Sequence, residues 1–470
     1  MNRRDIIKAG IGSAGALVMA TSLAANPAIG AAPVITPRKP KSRLKIGIIG
    51  TGERGRVLLR EVLRRDDVDL AAICDIDRFV IDRTLAQVQE AGGRKSPKVY
   101  TGSNDAWRAM LGKEKLDGVI IATPWEWHAP MAIGAMEAKV PVACEVVAGV
   151  SLDDHWNVLR TQEATGTPYM LLENVCYRRD VMAALNMARQ GLFGEIVHLE
   201  GGYQHDLREV KFNSGVPGKP YGGGVEFGEK GWSEARWRTN HSVRRNGELY
   251  PSHGIGPCAM QANIHRGNRF TRLTSYASKA RGLHEYVVEK GGGDHPNGRV
   301  KFALGDIVQT QIACENGETI LLTHDTSLPR PYSLGFRVQG TKGIWMDVNK
   351  SIYIEGQSPE PHKWEPAQPW LDKYDHPLWA KYAAEAAGAG HGGMDYFVVR
   401  AWLEALKSGG PMPIDIYDAV AWSAITPLSE QSIFQGNRTI EFPDFTRGKW
   451  QDRNRILRLP ICERPCCDTL

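Results

Sequence analysis

A short apolar run at 44–49 stops at Gly50-Thr51-Gly52-Glu53-Arg54-Gly55, and this stretch limits the fold of the chain more tightly than any other. Leu58, Leu59, Val62 and Leu63 then recur at helical spacing, and a second apolar run at 70–74 ends on Asp75. Strand, glycine turn, helix and strand with an acidic tip is the order that binds a dinucleotide. The three glycines serve different ends there: a tight turn, close approach of backbone to a pyrophosphate, and close helix–strand packing. The N-terminus of the helix offers unpaired N–H groups and a partial positive charge to the phosphates. Asp75 follows Gly52 by 23 residues, where a carboxylate accepts hydrogen bonds from ribose hydroxyls and repels a 2′-phosphate. The spacing therefore predicts NAD as cofactor.

Length alone suggests two to three domains. A net charge of +5 spread over 470 residues is too small and too scattered to mark a nucleic-acid partner. The eight cysteines contain no C-x-x-C pair. Five lie in apolar runs or beside motifs and read as reduced core residues, and Cys462, Cys466 and Cys467 fall in a Pro/Arg-rich tail at 446–470. The N-terminus is basic and carries Arg3-Arg4, then an apolar small-residue segment at 9–25 and small residues at 28–32 that suit cleavage. The segment is too short and too rich in Gly and Ala to favour spanning a bilayer. Residues 1–32 instead resemble a twin-arginine signal. That implies the Tat export machinery as a partner, a periplasmic or exported bacterial protein, and export of the folded chain with its nucleotide aboard.

Along the chain, helices are expected at 77–91, 107–111, 129–138 and 151–165, with Ser151 as N-cap, and strands at 116–123, 140–145 and 169–173. This alternation predicts an α/β fold whose N-terminal domain, 43–175, is a Rossmann-type doubly wound parallel sheet. Ligands bind beyond the carboxyl ends of such strands, here Gly50, Asp75, Thr123-Pro124, Glu145 and Asn174. After 175 the pattern changes. A helix at 179–190 and a strand at 195–203 precede a Gly-rich segment, 204–249, with little periodicity, and a loop of that length is usually functional. A helix at 253–264, strands at 269–278, 306–313, 319–325 and 336–339, an Asn316-Gly317 turn, and helices at 396–406 and 419–434 follow. The second domain, 176–445, thus reads as α+β with a largely antiparallel open sheet, and an exposed face of that sheet allows a homodimer. Residues 359–377 are proline-rich and read as an irregular surface loop.

Three stretches gather reactive groups: Leu172-Glu173-Asn174-Val175-Cys176-Tyr177-Arg178-Arg179-Asp180 at the domain junction, Gly202-Tyr203-Gln204-His205-Asp206 at a strand end, and Leu249-Tyr250-Pro251-Ser252-His253-Gly254-Ile255-Gly256-Pro257, with its phenol, hydroxyl and imidazole ahead of a helix. A histidine at a helix N-terminus tends to stay neutral and can act as base or hydrogen-bond partner, or it can simply cap the helix. Trp125, Trp127 and His128 follow a strand-end proline and can stack on cofactor or sugar. His391 and Asp395 stand at i, i+4, which is also a metal-pair spacing. No third ligand is near, and the flanking glycines favour a packing or substrate-loop role, so no metal is assigned.

The glycine turn, the 123–128 strand end and Cys144-Glu145 resemble the NAD(P)-dependent sugar and inositol oxidoreductases. That family usually carries Glu-Lys-Pro, with a catalytic lysine, where Glu145-Val146-Val147 stands here. The combination CEVVAGVSLDDHW, ENVCYRRDV, GGYQHDLR, LYPSHGIGP and GHGGMDYFV is instead similar to glycoside hydrolase family 109, over roughly 43–442. Members of that family are NAD-dependent α-N-acetylgalactosaminidases. The resemblance implies a glycan partner with terminal N-acetylgalactosamine and hydrolysis through redox: hydride leaves C3, the acidified C2 proton follows, the C1 group is expelled, water adds, and the hydride returns. It implies nucleotide contacts at Gly50, Gly52, Glu53, Arg54, Gly55, Asp75, Trp125, Glu126, Trp127, His128, Glu145, Val146 and Asn174. Substrate contacts fall on Tyr203, Arg238, Tyr250, Pro251, Ser252, His253 and Tyr332. Tyr177 and His253 are the candidates for proton transfer, without a choice between them as base. An NAD-dependent sugar dehydrogenase or epimerase, and a sugar sensor with a vestigial nucleotide, are the rival readings.

Overall fold

The computed structural model describes residues 40–453 apart from residue 93. The signal expected at 1–32 and the three tail cysteines lie outside those residues. The first part alternates β1 (Leu44–Ile49), α1 (Glu53–Leu63), β2 (Val68–Cys74), α2 (Arg78–Glu90), β3 (Lys98–Tyr100), α3 (Ala106–Lys113), β4 (Gly118–Ile121), α4 (Trp125–Glu137), β5 (Val142–Cys144), α5 (Leu152–Thr165) and β6 (Tyr169–Leu171). These strands pair in parallel in the order β3-β2-β1-β4-β5-β6. Strands β4 and β5 are buried throughout, which is why they read as unbroken apolar runs. The strand order reverses between β1 and β4, and a crevice opens at their carboxyl ends. Ser151 does cap α5: its hydroxyl accepts from the Asp154 N–H while the Asp154 carboxylate accepts from the Ser151 N–H.

The second part runs α6 (Arg179–Arg189), β7 (Ile196–Gln204), α7 (Arg208–Lys211), α8 (Arg238–Arg244), α9 (Ser252–Gln261), β8 (Phe270–Ala277), α10 (Gly282–Gly291), β9 (Ile307–Cys314) and β10 (Thr319–Asp325). It continues with β11 (Arg337–Gly340), β12 (Gly343–Met346), β13 (Ser351–Ile354), β14 (Glu365–Pro366), α11 (Gln368–Lys373), α12 (Pro377–Ala386), α13 (Met394–Ser408), α14 (Ile416–Phe434) and β15 (Ile440–Glu441). The sheet order is β14-β13-β12-β11-β7-β10-β9-β8-β15. It is antiparallel except where β7 lies parallel to β10. The β9–β10 hairpin turns at Gly317, whose φ of +101° is the conformation that the Asn-Gly pair foretells.

Three expectations need correction. Helix α4 begins at Trp125, not 129, because Pro124 already occupies the N-cap and its carbonyl accepts from the Trp127 N–H. The 204–249 segment is built rather than structureless: it holds α7, α8 and two single 3₁₀ turns, each too short to leave a periodic signal. The proline-rich 359–377 stretch carries β14 and α11, with Pro369 in the first turn of the helix, where its missing N–H costs nothing.

Helices α13 and α14 return to the first part. A Cβ added to Gly118 in β4 would sit 2.7 Å from the Trp402 indole, so α13 lies directly on the parallel sheet. Helix α14 is buried on nearly all sides, and Asp415 with Asp418 closes its start in a reciprocal capping box. The five described cysteines are free and buried.

Candidate active site

The glycine turn divides its three roles as the sequence requires. Gly50 has φ +83°, and a Cβ there would lie 2.5 Å from the Ala122 carbonyl oxygen. A Cβ on Gly55 would lie 2.0 Å from the Gly50 oxygen, so the helix can close on the turn only without one. At Gly52 a Cβ would meet nothing within 4 Å, because that glycine faces a cavity of about 320 Å³. Asp75 lines the same cavity at the tip of β2, oriented by the Thr51 N–H on Oδ2 at 2.8 Å and the Asp77 N–H on Oδ1 at 3.0 Å. A turn with one open glycine at a helix N-terminus, facing an oriented carboxylate, fits a dinucleotide.

Of the expected nucleotide contacts, Gly50, Gly52, Glu53, Arg54, Asp75, Trp125, Trp127, His128, Glu145, Val146 and Asn174 line this cavity. Gly55 packs beneath it, and Glu126 stands outside, 3.1 Å from His241 Nε2. Both ring nitrogens of His128 meet backbone carbonyls, Val147 at 2.6 Å and Thr123 at 2.8 Å. That histidine ties two strand ends together and has no nitrogen left for a ligand.

Arg54 organises the acids at the cavity floor. Its Nε donates to Glu145 Oε1 at 2.7 Å and its Nη1 to Asp395 Oδ1 at 2.9 Å. Asn174 Nδ2 donates to the same Asp395 oxygen at 2.9 Å. Burial opposes a charge on Asp395, yet Arg54 and the His391 hydrogen bond hold its carboxyl well below the usual range. The other Asp395 oxygen lies 2.7 Å from His391 Nδ1. His391 has φ +52° and is followed by Gly392 at +68° and Gly393 at +100°, so three consecutive left-handed residues swing its ring into the cleft.

A second cavity, of about 570 Å³, opens beyond the first, and Tyr203, His253 and His391 line both. Glycines create this junction. A Cβ on Gly254 would lie 2.5 Å from the Gly202 nitrogen, and this close approach of α9 to β7 sets His253 edge-on to Tyr203 at 5.1 Å. His253 Nδ1 lies 2.7 Å from Oε1 of Glu173, which is wholly buried. A carboxylate accepts and cannot donate, so Nδ1 carries the hydrogen and Nε2 is left to the cleft. Position at a helix terminus alone does not reveal this carboxylate. Arg238 sits among Trp125, Tyr203 and Tyr250, its guanidinium 5.0–5.9 Å from the ring centres, and pairs with Glu234. Burial raises the Tyr203 phenol and Arg238 counters that rise. Tyr332 lines the outer cavity alone, edge-on to His205.

Tyr177 departs from expectation. It is fully buried, its hydroxyl has no partner, it lines neither cavity, and burial pushes its phenol well above the ordinary range. A phenol so enclosed is not placed to exchange a proton with a ligand in either cavity. Pro251 and Ser252 also stay out of the linings, as the residues that start α9. Glu173, His205 and Asp395 stand in stretches that the sequence marks as reactive, but none of the three is assigned a contact there. The His391–Asp395 spacing is visible there, but its partner Arg54 lies 337 residues from His391 along the chain.

Residues 177–452 match the family description "Glycosyl hydrolase 109, C-terminal domain", and residues 44–170 match "Oxidoreductase family, NAD-binding Rossmann fold". A Stenotrophomonas maltophilia protein named "Glycosyl hydrolase family 109 protein" is 65% identical, across 92% of this chain and 96% of its own. The chain belongs to glycosyl hydrolase family 109. A Tannerella forsythia relative named "Alpha-N-acetylgalactosaminidase" is 50% identical to this family 109 chain, covering 97% of it and 99% of the relative. Among solved structures, an NAD-binding oxidoreductase from Klebsiella pneumoniae shares the fold with a TM-score of 0.62 at 16% identity, over 86% of this chain and all of that one. The family 109 chain is thus an NAD-dependent glycoside hydrolase built on an oxidoreductase frame.

Proposed function

We propose that this chain removes terminal α-linked N-acetylgalactosamine from glycans in a redox-neutral cycle: oxidation at C3, proton loss at C2, departure of the C1 substituent, addition of water, and reduction at C3. The activity in the name of the 50% identical Tannerella protein supports the choice of sugar. One observation carries the mechanism. Each carboxylate in the two linings already holds a donor: Glu53 with Arg56 and Arg83, Asp75 with backbone N–H groups, Glu145 with Arg54, Glu234 with Arg238, Asp180 with Arg178, and Asp372 with Gln368. The groups at the junction are two imidazoles and a phenol. That set does not suit the paired-carboxylate chemistry of most glycosidases and suits a route by way of a ketone, in which a modest base is enough.

NAD held on the glycine turn supplies the reversible oxidation of the sugar. Tyr203 takes the C2 proton as the phenolate, the form that the adjoining Arg238 guanidinium favours against burial. His253, oriented by Glu173, offers Nε2 to the C3 hydroxyl. His391, oriented by Asp395 and shared with the outer cavity, gives a proton to the departing glycosidic oxygen. Trp125, Trp237 and Tyr250 wall the inner cavity with aromatic surface that limits water. Cofactor accounting tests the reading. Hydrolysis of a nitrophenyl α-N-acetylgalactosaminide without net reduced cofactor is expected. Stoichiometric reduced cofactor with an oxidised sugar would instead identify a dehydrogenase. Unchanged turnover in His253→Ala would contradict the assigned role of that residue.

The paired arginines and small-residue segment at the N-terminus support export through the twin-arginine route to the periplasm, with nucleotide bound. Replacing Arg3-Arg4 by lysines should leave full-length protein in the cytosolic fraction; unaltered processing counts against that route. Exposed Val197 on β7 and Tyr276 on β8 support a homodimer through the second sheet. Light scattering at the monomer mass would remove it.

A further inference from the structure

The cavity that takes the dinucleotide has two walls of different origin. One comes from the glycine turn and the tip of β2. The other comes from the long segment between β7 and α9, through Ser233, Glu234, Trp237 and Arg238. We propose that residues 213–232 form a clasp over the adenosine half of the nucleotide, fastened by Trp232 against Phe79, just ahead of the wall residues at 233–238. The site belongs to the adenosine half because Asp75, at the tip of β2, is where the adenine-side ribose is met in this fold. Phe79 stands four residues after Asp75, at the start of α2. The Trp232 ring meets it edge-on, with centroids 6.1 Å apart and planes at 84°. Gly218 comes to the same ring: with φ +84°, a Cβ there would be 3.4 Å from Phe79 Cζ.

The clasp is stiff within itself and lightly held across the cleft. Asn213, wholly buried, donates from Nδ2 to the carbonyls of Pro220 and Trp232 at 3.1 and 2.7 Å. Its Oδ1 accepts from the Gly215 and Trp232 N–H groups at 2.9 and 3.1 Å. One side chain thus fixes both arms of the loop and sets where the indole points. Across the cleft the fastening at this end is apolar contact, which yields without breaking an ion pair. Such a device keeps the nucleotide in place without sealing it in.

The proposal rests on the redox-neutral reading in one respect. A cycle that restores its cofactor gains nothing from exchanging it, whereas a dehydrogenase must release the reduced form at every turnover. The test reads the nucleotide alone. Full-length protein purified with NAD bound is challenged with excess isotopically labelled NAD, and the bound fraction is followed by mass spectrometry. Slow exchange is expected in the native chain, and exchange roughly tenfold faster in Phe79→Ala and in Trp232→Ala. The double variant should be no faster than the faster single one, since both open the same fastening. Phe79 is 43% exposed, so its truncation leaves the core intact and decides the matter even where Trp232→Ala folds poorly. Unchanged exchange in Phe79→Ala, or exchange within seconds in the native chain, overturns the clasp. A chain that exchanges slowly yet hydrolyses no glycoside keeps the clasp and loses the function.

Discussion

His253 and His391 are held alike, each with Nδ1 on a buried carboxylate and Nε2 left to the cleft. Orientation of this kind is worth a great deal in catalysis, because the wrong tautomer presents a hydrogen where a lone pair is needed. Glu173→Gln should therefore lower kcat by roughly 10²-fold or more with a smaller change in KM, read from steady-state kinetics. His391→Ala should slow a disaccharide far more than a nitrophenyl glycoside, whose leaving group needs no proton; equal losses on the two substrates would refute that role. Tyr177→Phe should keep full activity and cost no stability in thermal melts, since it deletes a buried hydroxyl that has no partner. At this scale the sequence is legible where backbone rules apply. Gly50, Gly52, Gly55 and Asp75 can be picked out because spacing along one strand–turn–helix fixes them. Tyr177 misleads because burial depends on what α12 brings from far along the chain: the Trp379 indole N–H reaches the Tyr177 carbonyl at 2.8 Å.

At the scale of elements, α7 shows how a short helix is secured without periodicity. Lys211 closes it, is 2% exposed, and donates through Nζ to Thr326 Oγ1 at 2.8 Å and Ser327 Oγ at 3.2 Å. Burial pushes its ammonium down to about 7 from 10.5. Between those values the unfolded chain binds a proton that the folded chain does not. Stability therefore rises with pH across that window and is insensitive to this group below about pH 7. The contribution is up to about 1.4 kcal/mol per pH unit, and denaturant melts from pH 7 to 9 should lose that slope in Lys211→Met. Such elements are hidden in the sequence because four to seven residues carry no period. The parallel strands are plain because burial on both faces demands an unbroken apolar run.

For the molecule as a whole, Asp395 joins distant parts: it opens α13 and receives Arg54 from the glycine turn and Asn174 from the end of β6. Asp395→Asn leaves a half-buried guanidinium with Glu145 as its remaining carboxylate partner, and a loss of roughly 1–3 kcal/mol in unfolding free energy is expected from calorimetry. The same network keeps His391 over the inner cavity, so this variant should also reproduce the substrate-dependent loss of His391→Ala. Fold, cofactor and family together describe a glycoside hydrolase built on an NAD-binding oxidoreductase frame. In the proposed cycle the junction of the two cavities is where a sugar is oxidised so that its neighbouring carbon can lose a proton. Hydrolysis of an aryl α-N-acetylgalactosaminide in deuterium oxide tests this most directly. Deuterium at C2 of the released sugar is the predicted result, and full retention of the original hydrogen there would contradict the account.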